Sequence, residues 1–91
     1  MLLMKFRGKL TLNGVIIAHH VEGEMKEAPS RDGRTIYRGH FATMESVAFS
    51  KDAIYRLEIQ NGKRTKIKVR TMLSEIAGLR VYSCYATHPF A

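Results

Sequence analysis

From Ala53 to Arg70 the chain reads AIYRLEIQNGKRTKIKVR, two alternating segments around Asn61-Gly62. Side chains on a strand change face at every residue, so apolar–charged alternation marks a half-buried strand. Tyr55, Leu57 and Ile59 alternate with Arg56, Glu58 and Gln60, and Ile67 and Val69 alternate with Lys66, Lys68 and Arg70. Burial decides the register between the two strands. A two-residue Asn-Gly loop sets Leu57 opposite Lys66 and mixes apolar with charged residues on each face. A three-residue loop, Gln60-Asn61-Gly62, sets Ile59 opposite Lys63, Leu57 opposite Thr65 and Tyr55 opposite Ile67. A slip of one residue would expose the whole apolar set, so the three-residue loop is selected. The turn is then type I, with Gly62 left-handed as a bulge. Tyr55, Leu57, Ile59, Ile67 and Val69 go to the core. The opposite face carries Arg56, Glu58, Arg64, Lys66, Lys68 and Arg70, five of the six cationic.

The rest of the chain reads as further strands. Met4, Phe6, Leu10 and Leu12 share a face with Gly8, and Lys5, Arg7, Lys9 and Thr11 share the other. Asn13-Gly14 follows. A two-residue primed turn there pairs Leu12 with Val15, Leu10 with Ile17 and Phe6 with Val21, and sets Gly8 opposite His19. Val15, Ile17, Val21 and Met25 are the apolar face of this second strand. Lys26 to Gly33 (KEAPSRDG) is turn chemistry. Arg34 to Met44 is the next strand, with Tyr37 and Phe41 on one parity and Ile36, Ala42 and Met44 on the other. Either both of its faces are partly buried, as at a dimer interface, or a bulge near Gly39 shifts the phase. Val47, Ala48 and Phe49 are read as a strand end or one helical turn. Thr71 to Gly78 is a connection in which Leu73 and Ile76 suit a single helical turn. Leu79 to Thr87 is the last strand, with Leu79, Val81 and Tyr85 facing one way and Arg80, Tyr82 and Cys84 the other.

These elements predict an all-β fold. It is a small antiparallel β-barrel of about six strands built from hairpins, with at most one or two short helical turns; closure removes exposed strand edges. A chain of 91 residues holds one modest core, so residues 1–91 are read as a single domain without room for a separate catalytic one. Only Met1 to Met4 are apolar before Lys5 interrupts, too short for a signal core or a membrane span. A cytoplasmic location follows by default.

The formal net charge of +7 favours an anionic partner, nucleic acid among them. Arg56, Arg64, Lys66, Lys68 and Arg70 are the candidate binding residues, with Lys5, Arg7 and Lys9 as a second stripe. Single-strand binders also present aromatic platforms. Of Tyr37, Tyr55, Tyr82 and Tyr85, Tyr82 alone has a parity open to solvent, so aromatic interleaving on the basic face is weak. A solvated outer face explains the same charges.

Catalytic and metal chemistry find little support. The lone Cys84 excludes an intramolecular disulfide and reads as a small buried residue. His19 and His20 are adjacent, so on a strand they point to opposite faces; no metal and no cofactor are expected. No local arrangement pairs a nucleophile with a base, so an enzyme is not expected. Two readings stand: a non-enzymatic binding module engaging an anionic partner, and a homodimeric structural or assembly module. The second would associate through Arg34–Met44 or Met1–Met4.

Two likenesses add to this. Arg34-Thr35-Ile36-Tyr37-Arg38 has the RxxxR spacing of PilZ domains, which it resembles in length and strand content. That resemblance implies a cyclic di-GMP-binding barrel. The second PilZ signature, D/N-x-S-x-x-G, is absent, the stretch reading SVAFSKDAIY. The first hairpin, Phe6-Arg7-Gly8-Lys9-Leu10 with Asn13-Gly14, and the late hairpin Tyr55–Arg64 also resemble small uncharacterised bacterial β-barrel proteins. That likeness implies a fold and no activity.

Overall fold

Strands β1 (Leu3–Leu12), β2 (Val15–Pro29), β3 (Thr35–Thr43), β4 (Tyr55–Ile59), β5 (Arg64–Ile76) and β6 (Leu79–Ala86) carry the regular structure. The computed structural model describes residues 3–29, 31–86 and 88–91. The strands close into an antiparallel barrel in the order β1-β2-β3-β6-β5-β4. Two three-stranded meanders are thus joined along β1–β4 and β3–β6. Among the described residues there is no helix, and none long and apolar enough to cross a membrane.

The β4–β5 pairing is the one that parity predicts. Tyr55 faces Ile67, and Leu57 faces Thr65. Gly62 is left-handed at φ 84°, and the Gly62 N–H donates to the Ile59 carbonyl at 2.9 Å. Tyr55, Leu57, Ile59, Ile67 and Val69 are all buried. Asn13 and Gly14, at φ 52° and 83°, form the two-residue primed turn, with Leu12 opposite Val15.

Beyond that turn the predicted register fails. Two β-bulges in β2 set Leu10 opposite Ala18, Gly8 opposite Val21 and Phe6 opposite Gly23. Ala18 takes the interior place predicted for Ile17, and Val15 lies 64% exposed. His19 is not opposite Gly8. Four successive apolar residues, Val15 to Ala18, fit either phase, and bulges supply the extra twist that a small barrel needs.

Other boundaries also move. β2 runs on through Lys26–Ala28 to Pro29, residues predicted as turn; the tight turn begins after them, with Gly33 at φ 82°. Ser30 lies outside the described residues. β3 carries no bulge near Gly39: both of its ladders run without a shift, and neighbours partly cover Ile36 and Ala42 on its outer face. β5 continues to Ile76 in place of the predicted helical turn. It folds back at Ala77-Gly78, both left-handed at φ 51° and 84°, so that Ile76 faces Leu79. Register shifts on either side of Met72 break the alternation and hide the strand.

In β6 the two faces are inverted from expectation. Tyr82, Cys84 and Ala86 point inward, while Leu79, Val81 and Tyr85 point outward. Directly paired residues share a face. Phe41 opposite Tyr82, and Val69 opposite Cys84, therefore dictate the parity of β6. Thr87, the predicted end of that strand, lies outside the described residues.

The β3–β4 connection joins strands on opposite sides of the ring. It is neither strand nor helix. From it Phe49 packs edge-on against Phe41, Tyr55 and Tyr82, at 5.6, 5.5 and 4.8 Å between centroids. Phe90 packs near Phe6 at the other end, where Ala91 and Arg64 exchange two backbone hydrogen bonds of 2.9 Å.

Candidate nucleic-acid interface

The outward residues of β4 and β5 form the basic face. Arg56 lies opposite Lys66, and Lys68 and Arg70 continue the row along β5. The five predicted residues are not equivalent. Glu58 sits 3.7 Å from Arg64 and 3.7 Å from Lys9, and so offsets the charge at that end. Among the described residues, Arg56, Lys66, Lys68 and Arg70 take part in no ion pair.

The face extends across β6 onto β3 and β2. Lys68 is opposite Tyr85, Tyr85 opposite Arg38, and Arg38 opposite Lys26. Arg38 is exposed and makes no ion pair among the described residues. The Arg70 guanidinium lies over the Tyr85 ring, 5.5 Å from its centroid. Sequence reading left Tyr85 off this face because it turned β6 inside out, and it named Arg38 only within the RxxxR pair. The preference of a free cysteine for burial was the usable signal: Cys84 inward puts Tyr85 outward.

The second stripe is different. Lys5 lies opposite Glu24, Arg7 opposite Glu22, and Lys9 opposite Glu58. Opposite charges facing each other across a ladder attract and largely cancel at a distance. The uncompensated positive charge therefore gathers on Arg56 of β4, on β5 and on Arg38 of β3, on either side of the uncharged outer face of β6.

Other candidate residues have local partners. His19 is bonded to Glu45, and His40 lies 3.8 Å from Glu24. Among the described residues no three His, Cys, Asp or Glu side chains converge as a metal site would require. Burial pushes the Cys84 thiol up to about 12, so it stays protonated at neutral pH. Of the RxxxR pair, Arg34 sits in the turn before β3, its Nε 3.4 Å from Asp32, and Arg38 is on the outer face of β3.

A second surface feature is apolar. Met72, Leu73, Ile76 and Leu79 are exposed on the projecting β5–β6 hairpin. Met44 lies beside its turn, with Cε 3.4 Å from where a Cβ on Gly78 would stand.

Compared with known proteins, the chain matches no family model, no curated protein and no solved structure.

Proposed function

We propose that the protein is a non-enzymatic binding module that engages a polyanion, nucleic acid, through the outer face of β5, β6 and β3. The observation that carries this is the contrast between two basic surfaces on one barrel. On β1 each cation faces a carboxylate across the ladder. On the other side Arg38, Arg56, Lys66 and Lys68 face no carboxylate among the described residues, their ladder partners being Lys26, Thr11, Tyr85 or one another. Charges kept only for solubility need no such separation. Alternate residues on β5 are about 6.6 Å apart, a spacing on the scale of the phosphate step in an extended strand.

Electrophoretic titration with DNA and RNA, single- and double-stranded, at low and moderate salt tests the reading. Binding at low salt that weakens steeply with added salt is expected. No binding to any of the four at low salt would remove it.

A second reading, self-association, is favoured by the exposed Met44, Ile76 and Leu79 at the β5–β6 tip. Contiguous exposed apolar surface marks interaction sites. The closed ring leaves β3 paired on both edges, so association would not proceed by adding a strand there. Sedimentation of the wild type beside Ile76→Lys separates the cases; a concentration-independent monomer mass for the wild type rejects association.

A further inference from the structure

Tyr85 stands on the basic face as a ridge between two open clefts. One, of about 580 Å³, is bordered by Arg38, Arg70 and Ser83. The other, of about 280 Å³, is bordered by Ile54, Lys66 and Lys68. Tyr85, half-buried, borders both, so that open space adjoins it in two directions. Arg70 already lies over the ring, and a guanidinium plane stacks on bases much as an aromatic ring does.

A ridge of this kind is of no use to a duplex, whose bases are stacked inside and whose phosphates line the outside. The element with the shape to enter a groove is the projecting β5–β6 ribbon. Its tip carries exposed Leu73 and Ile76, and its cation Arg80 is tied to Glu75 at 2.8 Å. The free cations instead flank Tyr85, where a single strand has bases to stack and phosphates to neutralise.

We propose that Tyr85 and Arg70 form a base-stacking platform that gives this face a preference for single-stranded nucleic acid. The phosphates run along Lys66, Lys68 and Arg38. This rests on the polyanion reading above and adds strand selectivity to it.

The test is fluorescence anisotropy with a labelled single-stranded oligonucleotide and a duplex of equal length. The proteins are the wild type, Tyr85→Leu and Tyr85→Phe. The wild type is expected to prefer the single strand. Tyr85→Leu should lose about tenfold in single-strand affinity or more, the scale of one lost base stack. Its duplex affinity and its salt dependence should not change. Tyr85→Phe keeps the ring and should keep the preference, which separates lost stacking from lost folding. Equal wild-type affinity for the two forms, or a Tyr85→Leu loss shared equally by both, overturns the platform and leaves the polyanion reading standing. Failure of the wild type to bind either form fails the polyanion reading and the platform with it.

Discussion

The Glu45 carboxylate accepts two hydrogen bonds from His19, one from its backbone N–H and one from ring Nδ1, each 2.9 Å long. Its second oxygen accepts the His20 N–H at 2.8 Å. Both histidines lie where β2 bulges away from β1 and has run past the end of β3. Their amides have lost strand partners, and one side chain from the β3–β4 connection replaces them. The backbone bond from His19 is the main cause that holds the Glu45 carboxyl down, from 4.5 to about 2; partial burial works against it. A carboxyl pKa depressed in the folded state stabilises the fold above the unfolded value. That contribution is lost as the pH falls from 4.5 towards 2. Glu45→Gln should destabilise the protein by about 1–3 kcal/mol at neutral pH, with the side chain's partial exposure favouring the lower end. Urea unfolding across this pH range should show the gap between wild type and variant narrowing with acid. A gap independent of pH would contradict the assignment.

Gly39 faces the barrel interior between Tyr37 and Phe41. A Cβ there would overlap the carbonyl oxygen of Glu24 and come within 2.9 Å of the Met25 Cα. These are backbone atoms of β2 and cannot turn aside as a side chain would. Gly39→Ala should cost about 1–3 kcal/mol or more, the scale of overpacking a filled core. Chemical unfolding measures it, and a variant as stable as the wild type would mean that the strands separate easily there.

Phe49 touches rings from three strands, Phe41, Tyr55 and Tyr82, although it lies on a connection. The hydroxyl of Tyr55 accepts the Ser50 N–H at 2.8 Å, which pins the same segment. Phe49→Ala should cost about 2–4 kcal/mol, somewhat below a fully buried phenylalanine because the ring is half-covered. Equilibrium unfolding tests this. A loss well under 1 kcal/mol would show the connection to be a loose cover.

Legibility in the sequence followed the strength of the alternation. Tyr55–Ile59 and Ile67–Val69 alternate cleanly, so burial alone selected their register and the left-handed Gly62. Val15–Ala18 is apolar throughout, and its bulges depend on how β1 coils between β2 and β4. β6 carries apolar residues on both faces, and only its partners Phe41 and Val69 decide which face turns inward. The candidate site inherited that ambiguity. Its β5 residues were readable, and the place of Tyr85 and Arg38 beside them was not, because β3–β6 and β5–β6 pairings join residues far apart in the chain. The cancellation of Lys5, Arg7 and Lys9 by carboxylates on β2 and β4 was hidden for the same reason.

The measurement that bears most directly on the polyanion reading is the salt dependence of single-strand binding for the wild type and two double variants. Phosphate contacts at Arg38, Lys66 and Lys68 imply a slope of about −2.1 in log K against log salt, roughly a twentyfold loss between about 50 and 200 mM. Lys66→Gln/Lys68→Gln should reduce that slope by about 1.4, because two contacts are gone. Lys5→Gln/Arg7→Gln, on the compensated stripe, should leave it unchanged. A slope that falls equally in both variants, or in neither, would contradict a functional face on β5, β6 and β3.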